Sequence, residues 1–132
     1  MSAASAVQKA IFLKLSGDAA LTSLIGPGGV HDHLQARSHR PCISIAGIES
    51  LDASTASEAG EEHLITLHVL TGEGGGRTAE QIAARVRALL YDAPLVLSGV
   101  ALVSILHRRT KISRDAKAKG HVAEMVFRAV TE

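Results

Sequence analysis

Thr71-Gly72-Glu73-Gly74-Gly75-Gly76-Arg77-Thr78 stands between an alternating apolar run and a helical pattern. That is the setting in which a glycine loop can offer backbone N–H groups to a phosphate. The residue types argue against it. Position 71 lacks the leading glycine, Arg77 stands where the motif needs Lys, and Glu73 puts a carboxylate inside the cradle. The dinucleotide spacing fails too, because Gly72-x-Gly74 is followed by Arg77 instead of a third glycine. A connector or assembly loop is the favoured reading of Gly72–Gly76, with a small nucleotide-binding enzyme as the alternative.

The histidines offer metal chemistry in principle. His31-x-His33 alternates on an extended piece, so both imidazoles can point one way while Asp32 points the other. His63 and His68 fall on opposite faces of their strand. A catalytic zinc needs three convergent protein ligands, and only two converge here. Surface or packing roles fit these histidines better. There is no Gly-x-Ser-x-Gly elbow. The lone Cys42 lies in Pro41-Cys42-Ile43-Ser44-Ile45 without a local activating base, and reads as a small buried filler. One cysteine excludes an internal disulfide and a Cys-based zinc cage. No catalytic residue, metal ligand or cofactor site is expected.

Charge is the other chemical feature. The net charge is only +1, which gives no general pull toward nucleic acid, but the charges are segregated. Between Pro41 and Gly76 there is no Lys or Arg, and Glu49, Asp52, Glu58, Glu61, Glu62 and Glu73 are all acidic. From His107 to Lys119, Arg108, Arg109, Lys111, Arg114, Lys117 and Lys119 outweigh the single Asp115. Asp52, Glu58, Glu61 and Glu62 on one side, and the six basic residues on the other, form the candidate subunit or partner interface. The acids, expected in a solvated loop, would keep ordinary pKa values and serve acid–base catalysis poorly. The basic segment also suits DNA passing nearby, in a salt-sensitive and sequence-blind way.

The elements that position these residues follow from periodicity. Val7, Ala10, Ile11 and Leu15 recur at helical spacing from about Ala3 to Leu15. Gly17 stops that helix, and Asp18 can cap a short second one through Ile25. Val30 to Leu34 reads as extended, Pro41 to about Ser50 as a strand, and Leu51 to Gly60 as a mobile loop. Glu62 to Leu70 alternates His63, Ile65, Leu67 and Val69 on one face. Thr78 and Gln81 fit a capping box for a helix that buries Ile82, Val86, Leu89 and Leu90 and shows Arg85 and Arg87 to solvent, ending at Pro94. Leu95–Leu97, a Ser98-Gly99 turn and Val100 to about Ile112 read as a hairpin whose long arm is apolar on both faces. One face can meet the helix and the other a neighbouring subunit. Ser113 to Gly120 reads as a charged loop before a last strand, His121 to Val130, with Met125, Phe127 and Ala129 on one face.

The order predicts an α+β fold, a mostly antiparallel sheet with a helix packed on one face and an N-terminal helical segment. At 132 residues the expectation is a single domain, 1–132. Phe12, Tyr91 and Phe127 are the only aromatics, so the core must come from Leu, Ile, Val and Ala. Three rings also make a poor stacking platform for single strands. No charged-then-apolar leader opens the chain and no apolar stretch approaches the ~20 residues of a membrane span, so a soluble protein made in the cytoplasm, with no membrane partner, is expected.

An ordered set of segments resembles the tail-terminator, or tail-completion, proteins of long-tailed phages and gene transfer agents. It comprises the Val7–Leu15 helix, Asp18-Ala19-Ala20-Leu21, Gly29-Val30-His31-Asp32, Pro41-x-Ile43-x-Ile45 and Glu62-His63-x-Ile65-x-Leu67-His68-Val69. The Ile82–Leu90 helix with Asp92-Ala93-Pro94-Leu95, and the closing Phe127-Arg128-Ala129, complete it. The short ending through Val130-Thr131-Glu132 is especially similar to gene-transfer-agent members. The resemblance implies a non-enzymatic virion protein of the tail–neck region, assembled in the bacterial cytoplasm. It implies a homo-oligomeric ring, a hexamer in this family, that caps the tail tube and ends its polymerisation. Its implied partners are tail tube protein and the head-completion or connector protein, with non-specific DNA possible in the lumen. A head–tail adaptor at an adjacent neck position is the related alternative.

Overall fold

The computed structural model describes residues 2–32, 39–72, 76–116 and 119–132. Helix α1 (Ala3–Ser16) buries Ala3, Ala6, Val7, Ile11 and Leu15, the helical spacing legible in the chain. The Ser2 side chain caps it by accepting the Ser5 N–H at 3.1 Å. Asp18 caps α2 (Ala19–Ile25) by accepting the Leu21 N–H at 2.8 Å. The strands are β1 (Val30–His31), β2 (Cys42–Asp52), β3 (Glu61–Thr71), β4 (Leu102–Asp115) and β5 (Gly120–Thr131); helix α3 (Gly76–Leu90) falls between β3 and β4.

The fold is α+β. The sheet order is β1-β2-β3-β5-β4, antiparallel throughout except where β1 runs parallel to β2. The helices cover one face. Ile43, Ile45, Ile65, Leu67, Val69, Ile105, Ala123, Met125, Phe127 and Ala129 of the sheet pack with Val7, Ile11, Leu15, Leu21, Ile82, Val86 and Leu90 of the helices. Cys42 is buried and free. Among the described residues, no helix is long and apolar enough to cross a membrane.

Several boundaries differ from the sequence reading. Helix α3 starts at Gly76, so Thr78 lies inside its first turn and is not the N-cap. A Cβ at Gly76 would make only ordinary contact with the His121 ring, 3.4 Å from Nε2. Leu95–Leu97 forms no strand: it packs irregularly against the core, and Asp92, at φ 50°, donates its N–H to the Ile105 carbonyl at 2.8 Å. The true hairpin partner of β4 is β5, with which it pairs from Leu102↔Thr131 to Asp115↔Gly120. Ser113–Asp115 are therefore strand, because Val122, His121 and Gly120 complete their ladder. The arm is also not apolar on both faces in the simple alternating sense. Bulges between Leu102 and Ser104, and between His107 and Arg109, shift its side-chain parity, leaving Val103 and Leu106 exposed while Ile105 is buried.

Candidate assembly surfaces

The tips of the two charged segments lie at opposite ends of the sheet, while Arg108 and Arg109, beside Phe127 and Val126, lie midway along β4. In register, Asp52 faces Glu61, Glu61 faces Thr131, and Thr131 faces Leu102. At the other end Cys42 faces Leu70, Thr71 faces His121, and His121 faces Arg114. The β2–β3 loop, residues 53–60, therefore projects beyond one end and the β4–β5 turn beyond the other. The 11 residues of β3 separate them by about 34 Å at roughly 3.4 Å per residue. That is several times the ~8 Å Debye length at physiological salt, so the two tips do not neutralise each other within one chain.

Asp52 ends β2, exposed; hydrogen bonds from Ser54, side chain first and then the N–H at 2.8 Å, hold its carboxyl below its ordinary range. Glu58 sits in the tip, where its N–H donates to Thr55 Oγ1 at 3.1 Å. Glu61, exposed, opens β3. Glu62 does not reach outward: Arg128 Nε lies 3.0 Å from its Oε1. The Arg128 hydrogen bond, with Arg108 further off, keeps that carboxyl low.

On the basic side, Arg108 sits at the second bulge of β4, exposed. Arg109 donates to Glu124 Oε1 at 2.7 Å, and Glu124 Oε2 also meets His68 Nε2 at 3.3 Å. Those two contacts, His68 first, lower the Glu124 carboxyl. Lys111 faces Glu124 in the ladder, Arg114 faces His121, and Lys119 occupies the turn at φ 52°. Lys117 lies outside the described residues. So do Glu73, His33 and most of the Gly72–Gly76 loop. Among the described residues no group of three or more His, Cys, Asp or Glu could hold a metal.

Some contacts gave no local signal in the chain. Arg85, expected to face solvent, grips Asp18. Arg40 Nη2 meets Asp115 Oδ2 at 3.2 Å while its Nη1 donates to the Thr71 carbonyl at 3.2 Å, tying the entry of β2 to the basic end. His63 is fully buried between Ser50 Oγ at 2.7 Å and Thr131 Oγ1 at 3.0 Å. Beside the helices, a groove of about 550 Å³ runs between α3 and β4, lined by Ala84, Ala88, Tyr91 and Ile112. Across the molecule, Val96 is 92% exposed.

Among the described residues, the sheet carries helices on one face only and has charged loops of opposite sign at its two ends. The profile of the tail completion protein gp17 family matches residues 9–132, and the chain belongs to that family; it is a structural protein of phage-type tails. It is also similar to a chain in the solved structure described as the virion of a native gene transfer agent particle. The identity is 34%, the TM-score 0.89, and the match covers 100% of this chain and 99% of that one. No protein of curated function matches it.

Proposed function

We propose that copies of this chain close into a ring, a hexamer as the family resemblance implies, that caps the tail tube. The ring stops tube growth and joins the tail to the head connector, in a gene transfer agent or a related phage-like particle. The observation that carries this reading is the placement of an acidic and a basic tip at opposite ends of one sheet. A ring uses a heterologous interface, in which one patch meets a different patch on the next copy until the rotation closes. Asp52, Glu58 and Glu61 at one end suit Arg108, Lys111, Arg114 and Lys119 of a neighbour. Exposed pairs contribute only ~0–1 kcal/mol each, so they set register and partner choice while apolar contacts supply affinity. Tube protein binds one side of the ring and head-completion protein the other, and the basic residues tolerate DNA in the lumen. Assembly takes place in the bacterial cytoplasm.

Deleting the gene tests the proposal in the intact particle. Tails of uncontrolled length that fail to join heads, restored by the supplied chain, are expected. Tails of normal length that lack only head attachment would point instead to an adaptor on the head side. Normal particles would refute both.

A further inference from the structure

We propose that Ser50 is a reactive hydroxyl, activated by His63, that accepts an acyl group from a small uncharged ester. Nothing in this depends on assembly. Ser50 and His63 are direct cross-strand partners in β2 and β3, and Ser50 Oγ lies 2.7 Å from His63 Nδ1. On the far side of the imidazole, Nε2 lies 3.0 Å from Thr131 Oγ1. The imidazole is fully buried and Thr131 is 2% exposed, whereas Ser50 is open to solvent.

Exposure assigns the roles. A neutral imidazole carries one N–H and one lone pair, so it donates to one hydroxyl while accepting from the other. Thr131 has the inaccessible hydroxyl and takes the hydrogen of Nε2, which fixes the tautomer. The Nδ1 lone pair then faces the O–H of Ser50. That is the arrangement in which an imidazole serves as general base to a hydroxyl nucleophile. Burial favours the neutral imidazole, the form able to take the proton.

A place for the substrate adjoins Ser50. Ser50 and Thr131 line a hollow of about 450 Å³, where Leu51, Ala59 and Val100 give an apolar wall for a short acyl chain. Ala3 lines it too, and Ala3 opens α1, whose first N–H groups have no partners within the helix and favour a developing oxyanion. Asp52, Glu61 and Glu132 also line the hollow, so an anionic substrate is repelled and a neutral ester is the class that fits. In the step, Ser50 Oγ bonds to the carbonyl carbon and the bond from that carbon to the alcohol oxygen breaks. The Ser50 proton passes through His63 Nδ1 to the departing oxygen, leaving acylated Ser50 and a free alcohol.

Treating the intact chain with p-nitrophenyl acetate, and locating acetyl groups by peptide mass mapping, tests this. Ser50 should acetylate at least about 100-fold faster than Ser57, an exposed serine of the next loop, the lower end of what a general base supplies. That comparison is made on the unmodified chain and needs no variant to fold. His63→Gln should bring Ser50 down to the rate of Ser57. Thr131→Ser should keep the fast rate and Thr131→Val lose it, which separates orientation of the imidazole from simple packing. Equal rates at Ser50 and Ser57 in the unmodified chain would overturn the proposal, and so would a fast Ser50 indifferent to His63→Gln. Neither result bears on whether copies form a ring.

Discussion

Arg85 holds Asp18 with two nitrogens at once: Nε donates to Oδ2 at 2.9 Å and Nη2 to Oδ1 at 2.6 Å. The same Oδ2 takes the Leu21 N–H that starts α2. One carboxylate thus caps α2 and fastens it to α3, joining residues 67 apart in sequence. Arginine suits the task because its planar fork matches both oxygens.

That clasp lowers the Asp18 pKa to about 2, chiefly through the Arg85 hydrogen bond. A carboxyl depressed in the fold contributes stability that is complete above its unfolded value, near 3.9, and is lost as pH falls toward 2. Arg85→Ala should return the Asp18 titration, followed by carboxyl NMR, to near 4 and lower the Tm by about 3–6 °C. An Asp18 that still titrates near 2 in the variant would show that Arg85 is not the cause.

His63 acts with the same sign at higher pH. Burial pushes its pKa below 6.5, disfavouring the charged form in the fold. Unfolded chains take up a proton there first, and stability should be level above about pH 7.5 and decline as pH drops through 6.5. His63→Gln should flatten that decline in urea melts. It should also cost about 1 kcal/mol at pH 8, because one of the two hydroxyl contacts is lost. An unaltered slope in the variant would move the effect to another histidine.

Phe127 is the largest fully buried side chain, and its ring meets His107 edge-on at 5.4 Å between centroids. Phe127→Ala should destabilise the chain by about 3–5 kcal/mol in denaturant unfolding, the range for a buried aromatic truncated to a cavity. A loss under 1 kcal/mol would mean the core is not centred there.

Gly120 opens β5 so close to β3 that a Cβ would land on the Thr71 carbonyl oxygen. Gly120→Ala should therefore cost about 1–3 kcal/mol by forcing the strands apart, and raise hydrogen exchange at the β4–β5 turn. Its φ is not in the left-handed region, so the effect tests close approach and not conformational freedom.

Charge reversal tests the assembly reading. Arg108→Glu and Asp52→Arg should each weaken self-association by about tenfold in sedimentation, and a mixture of the two should recover part of it. Arg108 is the better choice than Arg109, which is already engaged by Glu124 in its own chain. Association that ignores both changes and is insensitive to salt would exclude a charge-guided interface.

The sequence by itself determined the local patterns. The alternation put His63, Ile65, Leu67 and Val69 on one face of their strand and Met125, Phe127 and Ala129 on one face of theirs, and the structure turns both of these faces into the core. Asp18 announced the start of α2, and the sorting of acids from bases was plain in the chain. Such features depend on neighbours a few residues away, where backbone period and capping chemistry act. Tertiary structure alone decided that β4 pairs with β5 and not with Leu95–Leu97, that Thr78 lies inside α3, and that Arg85 and Asp18 meet. It alone buried His63 between two hydroxyls and drove the two charged tips to opposite ends. Those outcomes depend on which distant backbone completes a ladder and which cavity a side chain fills, a choice made by packing the whole sheet against its helices.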